Sequence, residues 1–316
     1  MPDIAICITF FNQDEYIKPL IERLNELSER SRFCWELVIG VDHPSQKSRE
    51  VIARIQSLKD KSVEMKVMEL DSDSSLIPLS RASLNRMQLL RVANAPYALV
   101  LDGDDEYIDL FDEAILFLNK HSNFVGVAFN HAEFWESTHI IRKINPPYRH
   151  ESVVNLKNHC LERKYFHSNC IVFRRKQALE ALMGRELYCN DTSLTKSLLQ
   201  SGDLLFLDKE IMLYRRGIPS IYSGATEVEK ILSELIVQEE SLRFFPEIKD
   251  LTIKKIRRLL KKVLLKKALA FSSAYVQQSE RCNLKLSMSV CKMMTTTNPF
   301  SRIFNGMKLW IFLLRN

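Results

Sequence analysis

The chain has 316 residues, of which 46% are hydrophobic and 27% are charged, and its formal net charge is +6. This composition fits a soluble globular protein with a sizeable core. The 8 glycines form neither a G-x-G-x-x-G nor a G-x-x-x-x-G-K-S/T loop, and the 7 cysteines form no C-x-x-C pair. The usual dinucleotide and P-loop phosphate sites are therefore excluded, as are zinc sites and disulfide frameworks with regular cysteine spacing.

Apolar runs and helical periodicity alternate along the first third of the chain. Ile4–Phe11 is a nearly continuous apolar run that ends at a polar cluster, as a buried parallel strand does. The same patterns predict strands over Trp35–Val41, Val63–Leu70 and Tyr97–Leu101, and helices over 14–27, 51–58 and 82–93. Strands that alternate with helices predict βαβ units and a mostly parallel sheet.

The rest of the chain has a more mixed pattern. It predicts a helix near 109–119, a strand near 124–130, an irregular segment around 145–147, a strand at 171–173 and a helix near 191–200. Beyond about residue 226 the pattern is helical throughout. The N-terminus lacks the basic segment of a signal peptide. No apolar stretch approaches the about 20 residues that span a bilayer, so we predict a cytoplasmic protein.

Polar residues gather where the predicted strands end, at Asn12, at Asp42 and at Asp102–Asp105. Ligands of open α/β sheets bind outside the carboxyl ends of the strands. The segment Leu-Asp-Gly-Asp-Asp-Glu at 101–106 is the strongest local signal, because paired carboxylates suit a hard divalent cation that neutralises a diphosphate. A solvated acidic turn or a cluster that caps a helix explains the same residues without a ligand.

Five segments, taken together and in order, resemble family 2 of the inverting glycosyltransferases, which has the GT-A fold. The segments are ICITFFNQDEYI, ELVIGVDHPSQKS, SRASLNRMQLLRVANAPYALVLDGDDE, FHSNCIVFRRKQALEALMG and NDTSLTKSLLQSGDLLFLDKEIMLYRRG. The resemblance covers about residues 3–225. It implies an α/β protein with one GT-A catalytic domain over 1–225, built on a mixed, mostly parallel sheet flanked by helices, and a helical basic extension over 226–316.

The resemblance also assigns roles to residues of this chain. It implies that Asp191 is the catalytic base and that Asp104 and Asp105 hold Mn²⁺ or Mg²⁺. The residues that it implies for donor nucleotide binding are Phe11, Asn12, Asp42, Asn85 and Asp102.

The chain departs from the family pattern at three places. Only one acid, Asp42, ends the second strand, and Asn190 replaces the usual glutamate before Asp191. Arg216 and Gly217 occupy the place of a histidine that helps to hold the diphosphate, so we expect Arg215 or Arg216 to clamp it.

The resemblance implies transfer of a sugar from a nucleotide-sugar donor, expected to be a UDP-sugar, to an acceptor hydroxyl with inversion. The acceptor is expected to be a carbohydrate or a lipid-linked saccharide in bacterial surface polysaccharide or glycolipid assembly. A nucleotidyltransferase of related fold is one alternative, but it should show a Gly-rich basic loop after the first strand. A catalytically silent nucleotide-binding or scaffold protein is the other, and the presence of both the aspartate cluster and Asp191 argues against it.

The last 66 residues are strongly basic, because 251–316 contains 14 Lys or Arg residues and one acid, Glu280. Apolar residues at 253, 256, 260, 263 and 264 alternate with cations, and the chain closes on the apolar segment 309–314. This pattern suits an anionic membrane surface and predicts peripheral attachment to the inner face of the membrane. A helix packed on the protein, with its lysines in solvent, is the alternative. Nucleic-acid binding is not expected, because no aromatic-interleaved recognition motif accompanies the charge.

Overall fold

The computed structural model describes residues 1–11, 13–57, 63–73, 75–162, 166–185, 191–218, 226–265, 274–295 and 305–306. Asn12 and Asn190 lie outside the described residues, as do most of the residues from 296 to 316. The chain divides into two compact units. The first contains residues 1–72 and 82–218, and the second contains 73–81 and 219–316.

The strands are β1 (Ile4–Phe11), β2 (Trp35–Asp42), β3 (Glu64–Leu70), β4 (Tyr97–Asp102), β5 (Glu106–Tyr107), β6 (Phe124–Trp135), β7 (Ile140–Lys143), β8 (Ser152–Val154), β9 (Ile171–Arg174) and β10 (Asp203–Arg216). The helices of the first part are α1 (Asp14–Arg30), α2 (Gln46–Ser57), α3 (Pro78–Val92), α4 (Asp112–Lys120), α5 (Leu156–Glu162), α6 (Arg175–Leu182) and α7 (Asp191–Ser201). The later helices are α8 (Glu227–Phe244), α9 (Lys249–Leu265), α10 (Ala274–Arg281) and α11 (Lys285–Thr295).

The ten strands of the described residues join one sheet with the order β3-β2-β1-β4-β9-β6-β10-β5, while β7 pairs with β6 and β8 pairs with β10. The pairs β2–β3, β1–β2, β1–β4 and β6–β10 are parallel. β9 is antiparallel to both of its neighbours, β4 and β6, and links the two parallel halves. The predicted fold class, a mixed and mostly parallel sheet flanked by helices, is confirmed.

The core of the first unit lies against β1, where Ile4, Ile6 and Ile8 are fully buried. Helix α1 covers this strand because its apolar residues recur at helical spacing and all face the sheet. Trp35 at the start of β2 stacks on Phe111 with 4.9 Å between the ring centroids. The central strands are thereby packed on one side by α1 and at the start of β2 by Phe111.

Most predicted elements are present, and their ends differ for identifiable reasons. Strand β1 has the predicted bounds, whereas α1 continues past Leu27 to Arg30. Helix α3 begins at Pro78 instead of 82. Proline is tolerated at the first helical position, because a backbone N–H there would have no hydrogen-bond acceptor within the helix. Strand β6 extends to Trp135 instead of 130, because it pairs with β10 along the whole of that length. The irregular segment around Asn145 is confirmed.

The described part of the second unit is helical. Thr226 and Glu229 form a capping box at the start of α8, and Glu239 of α8 accepts hydrogen bonds from the first amides of α11, at Leu286 and Ser287. Helix α9 packs on α8, and its apolar residues Ile253, Ile256 and Leu260 are buried. The described part of the apolar face that could have met a membrane is therefore buried inside this unit. None of the described helices has the length and hydropathy of a membrane span.

Candidate active site

The carboxyl ends of β1, β2 and β4 bring the predicted polar residues together. Parallel register places Phe11 beside Asp42 and Thr9 beside Asp102. The chain then turns at Gly103, whose amide donates to the carbonyl of Thr9 over 2.9 Å. A Cβ atom at Gly103 would lie 2.1 Å from the ring of Phe10, so only glycine fits between the two aspartates.

Residues 102–105 form a loop that we call the aspartate loop. Arg86 of α3 connects this loop with the predicted base, Asp191. Its guanidinium, 5% exposed, donates to Asp102 over 2.7 and 3.0 Å and also donates to Asp191. Ser168 donates a second hydrogen bond to Asp191, over 2.9 Å. Asp102 and Asp191, which are 89 positions apart in the sequence, therefore belong to one charge network.

The electrostatics of Asp191 depend on this network. Burial raises the pKa of its carboxyl, but Arg86 and then His167, together with the hydrogen bonds from Arg86 and Ser168, outweigh burial and bring the pKa below its ordinary value. The carboxyl is therefore ionised at neutral pH. It is also 35% exposed, so a substrate can reach it from solvent.

Asp105, the last residue of the loop, is buried and only 3% exposed. It accepts hydrogen bonds from the amide of Arg215 over 3.1 Å and from the side chain of Asn169 over 3.2 Å, and Asn169 also donates to Asp102. Burial, followed by the charges of Asp104 and Asp102, raises the pKa of Asp105 well above its ordinary value. Both oxygens of Asp105 already accept hydrogen bonds, so its contacts are those of a residue that holds the loop in place.

Among the described residues, Asp104 has neither the arginine partner of Asp102 nor the two hydrogen bonds of Asp105. Burial and then the charge of Asp102 raise its pKa to about 6, although a hydrogen bond from Gln13 and the charge of Arg215 act in the opposite direction. This excess of negative charge is what a divalent cation relieves, so the donor set fits one. Among the residues that the structure describes, no three His, Cys, Asp or Glu side chains are arranged closely enough to hold a metal on their own. A cation here needs further oxygens from a ligand.

The two candidate clamps have different surroundings. Arg215 donates from Nε to the carbonyl of Asp104 over 2.9 Å, pairs with Glu136 at 2.7 Å, and lies over the ring of Tyr16, 4.9 Å from its centroid. With Tyr16, Gly103, Asp104 and Asp105 it lines a shallow, open groove. Arg216 instead pairs with Glu133 at 2.7 Å and lies over the ring of Tyr214, 4.5 Å from its centroid.

The predicted nucleotide-binding residues have separate environments. Asp42 is buried and accepts from the hydroxyl of Ser72 over 2.7 and 2.9 Å and from its amide over 3.2 Å. Asn85 is buried too, and its carbonyl oxygen Oδ1 has no hydrogen-bond partner among the described residues. Phe11, at the end of β1, is 37% exposed. Asn12 lies outside the described residues.

Three rings lie on the side of the site toward Asp191. The centroids of His167 and Tyr214 are 4.8 Å apart, and that of His131 lies 5.6 Å from His167. Burial, and then the charge of His167, lowers the pKa of His131 to about 4, and burial lowers the pKa of His167. Both imidazoles are therefore mostly neutral at neutral pH, so the positive charge beside the base comes from Arg86.

Sequence reasoning missed Arg86 and Asn169, the two side chains that connect the aspartates. Each lies next to a residue that drew attention, Arg86 beside Asn85 and Asn169 two residues after His167. No spacing rule marks them, because their partners lie 16 to 105 positions away.

Comparisons with known proteins agree with this geometry. A model of the family "Glycosyl transferase family 2" matches residues 5–182, which is more than half of the chain. A search of curated protein sequences found no match.

Solved structures establish the fold. S. aureus TarS 1-349 in complex with UDP-GlcNAc is 14% identical, with a TM-score of 0.60, and the match covers 96% of this chain and 88% of that one. The mannosyltransferase PcManGT from Pyrobaculum calidifontis, in complex with GDP-Man and Mn²⁺, is 11% identical, with a TM-score of 0.51, over 99% of this chain and 87% of that one. By the match over most of its first unit, with a GT-A sheet that has the aspartate loop at its carboxyl edge, the chain belongs to glycosyl transferase family 2 and is a glycosyltransferase.

Proposed function

We propose that this glycosyltransferase moves a sugar from a nucleotide-sugar donor to an acceptor hydroxyl with inversion at the anomeric carbon, and that Asp191 is its base. One observation carries the proposal: Arg86 contacts both Asp102 of the donor loop and Asp191. The residue proposed to bind the donor, Asp102, and the residue proposed to remove the proton, Asp191, are thus bridged by the same guanidinium group. The structures with UDP-GlcNAc and GDP-Man support a nucleotide-sugar as donor.

The nucleotide part of the donor is proposed to bind over the ends of β1 and β2. Phe11, Asn12, Asp42, Asn85 and Asp102 supply the contacts, and the unmet acceptor of Asn85 is one support for this. We assign the diphosphate clamp to Arg215 in preference to Arg216, because Arg215 contacts the aspartate loop. The donor is expected to be a UDP-sugar.

Mn²⁺ or Mg²⁺ is proposed as cofactor, with Asp104 as its protein ligand, whereas Asp105, the second predicted ligand, accepts hydrogen bonds from Arg215 and Asn169 and holds the loop. When bound, the cation supplies neutralisation of the departing diphosphate. Asp104 fits this role because it is ionised at neutral pH and is not paired with an arginine as Asp102 is. The structure with GDP-Man and Mn²⁺ adds support from the same fold.

Transfer requires Asp191 to take the proton of the acceptor hydroxyl while the oxygen attacks the anomeric carbon opposite the leaving group. Arg86 keeps the carboxylate ionised and oriented, and Ser168 fixes its rotation through a hydrogen bond. Attack from the side opposite to the leaving group inverts the anomeric configuration. Assistance of this kind contributes about 10²–10⁴-fold to rate.

The acceptor is proposed to be a carbohydrate or a lipid-linked saccharide of surface polysaccharide or glycolipid assembly, at the inner face of the membrane. The extension over 251–316 is proposed to contact anionic lipid through its cations. Lys254 and Arg258 of α9 are exposed, whereas its apolar residues Ile253, Ile256 and Leu260 are buried, so this contact is electrostatic in that part of α9.

The experiment that tests this function measures donor hydrolysis and inversion. Purified protein is incubated with UDP-, GDP- and TDP-sugars, and the released sugar is analysed by NMR for its anomeric form. We expect one donor to be hydrolysed with inversion, and Asp191→Asn to lower the rate by about 10²-fold or more without loss of nucleoside diphosphate binding. Asp203→Asn, just after the C-terminal end of α7, is the matched control and should keep the rate. Retention of configuration, or an active Asp191→Asn variant, would disprove the role of Asp191.

A further inference from the structure

The turn between β6 and β7 carries apolar side chains into solvent. Trp135 is 39% exposed, and Ile140 and Ile141 are each 58% exposed. Every residue of β7 is exposed. Large exposed apolar groups in one place indicate an interaction surface. We refer to residues 134–143 as the hairpin tip.

The hairpin tip is apolar on both of its faces. Trp135 pairs with Ile140, and Phe134 pairs with Ile141. Since successive residues of a strand point to opposite faces, the two pairs lie on opposite sides of the hairpin. A hairpin that rests on a flat protein surface needs only one apolar face, whereas one that enters an apolar layer needs two.

The hairpin tip contains two basic residues, Arg142 and Lys143, and one acid, Glu136. Residues 137–150 contain Arg142, Lys143 and Arg149 and no acidic residue. The two acids that precede this stretch, Glu133 and Glu136, pair with Arg216 and Arg215. Arg142 is exposed, and Lys143 is 81% exposed although it lies 3.2 Å from Glu210.

We propose that the hairpin tip docks on an anionic phospholipid surface. Trp135, Ile140 and Ile141 then enter the interfacial layer, where indole rings are favoured, and Arg142 meets the anionic headgroups. The hairpin tip belongs to the first unit, whereas the basic extension belongs to the second. The inference does not depend on the proposed transfer reaction.

Two other occupants fit the tip less well. A second copy that paired with the edge of β7 would bring Arg142 and Lys143 toward the same cations of its partner, and like charges across strands destabilise pairing. A saccharide could stack on Trp135, but it also needs carboxylates for its hydroxyls, and Glu133 and Glu136 are already paired.

Tryptophan fluorescence of the full-length protein provides the test. The chain has 3 tryptophans, of which Trp35 is buried in the core. A Trp310→Phe background removes the tryptophan of the extension, so that any change in emission reports Trp135. Vesicles of phosphatidylglycerol that carry bromine on the acyl chains should quench this emission, and vesicles of brominated phosphatidylcholine should not. Adding Trp135→Phe should remove the quenched component.

Variants separate the hairpin tip from the extension. Ile140→Glu/Ile141→Glu should abolish the quenching even where the extension keeps the protein on the vesicles. Arg142→Gln should require about fivefold more lipid for half-maximal quenching, an effect that salt removes. The matched control is Val153→Glu/Leu161→Glu, at positions 51% and 48% exposed, which should quench as the parent does.

Two results would overturn the proposal. One is unquenched Trp135 emission with phosphatidylglycerol vesicles, whether or not the protein sediments with them. The other is a shift from dimer to monomer in sedimentation velocity for Ile140→Glu/Ile141→Glu with the quenching retained, which would assign the tip to a second copy. Melting temperatures equal to that of the parent establish that each variant is folded.

Discussion

Replacement of Arg86 by methionine tests the charge network at its centre. The guanidinium is 5% exposed, whereas Asp102 and Asp191 are 32% and 35% exposed. An exposed ion pair contributes about 0–1 kcal/mol, and loss of one partner of a fully buried pair costs about 3–5 kcal/mol. Because the cation is buried and both anions are partly solvated, we expect Arg86→Met to lower the free energy of unfolding by about 2–3 kcal/mol.

The contribution of Asp191 to the pH dependence of the free energy of unfolding should change sign in Arg86→Met. In the parent, the pKa of Asp191 is lowered on folding, so its contribution is present above the unfolded pKa of about 3.9 and is lost as pH falls through the folded pKa. Without Arg86, burial raises that pKa and the carboxylate becomes destabilising at neutral pH. Acidification from pH 7 to pH 4 should therefore narrow the difference in stability between Arg86→Met and the parent.

Urea unfolding of the Trp310→Phe background measures this effect, because Trp35 and Trp135 both lie in the first unit. Combination of Arg86→Met with Asp191→Asn should recover about 1–2 kcal/mol relative to the sum of the single changes. Arg30→Met, at an exposed position at the end of α1, is the control and should cost less than about 0.5 kcal/mol. A coupling below about 0.5 kcal/mol, or a loss no larger than that of Arg30→Met, would refute the reasoning.

The remaining predictions concern the aspartate loop. Mn²⁺ should strengthen nucleoside diphosphate binding in calorimetry, and Asp104→Asn or EDTA should remove the gain; equal affinity with and without EDTA would contradict the metal role. The gain should also weaken as pH falls through about 6, because protonation of Asp104 removes the charge that attracts the cation. Gly103→Ala should lower stability by about 1–3 kcal/mol, because its Cβ meets the ring of Phe10; additional Phe10→Leu should restore part of the loss, and its failure to do so would point to backbone strain instead. The nucleoside diphosphate should bind more weakly to Arg215→Gln than to Arg216→Gln in calorimetry. The opposite ranking of the two affinities would assign the clamp to Arg216.

Local patterns were enough to identify the strands that form the frame of the site. A strand buried on both faces must be apolar along its length, which is why β1 has the predicted bounds and why β2 and β4 end within one residue of theirs. Polar residues directly after such strands then lie at one edge of the sheet, as Asp42 and Asp102 do. The family resemblance and the GT-A fold followed from the same segments and are confirmed.

Only the tertiary structure decided which charged groups contact one another. Arg86 has no feature in the sequence that distinguishes it from other helical arginines, and its bond to Asp191 depends on a strand order that brings α3 and α7 to the same edge. The burial of α9 is a second case, because periodicity shows that a helix has an apolar face but not what covers it. The exposure of Ile140 and Ile141 is a third, because no local pattern shows that these apolar side chains lie at the surface. In each case the deciding contact joins residues distant in sequence, and no local pattern contains that information.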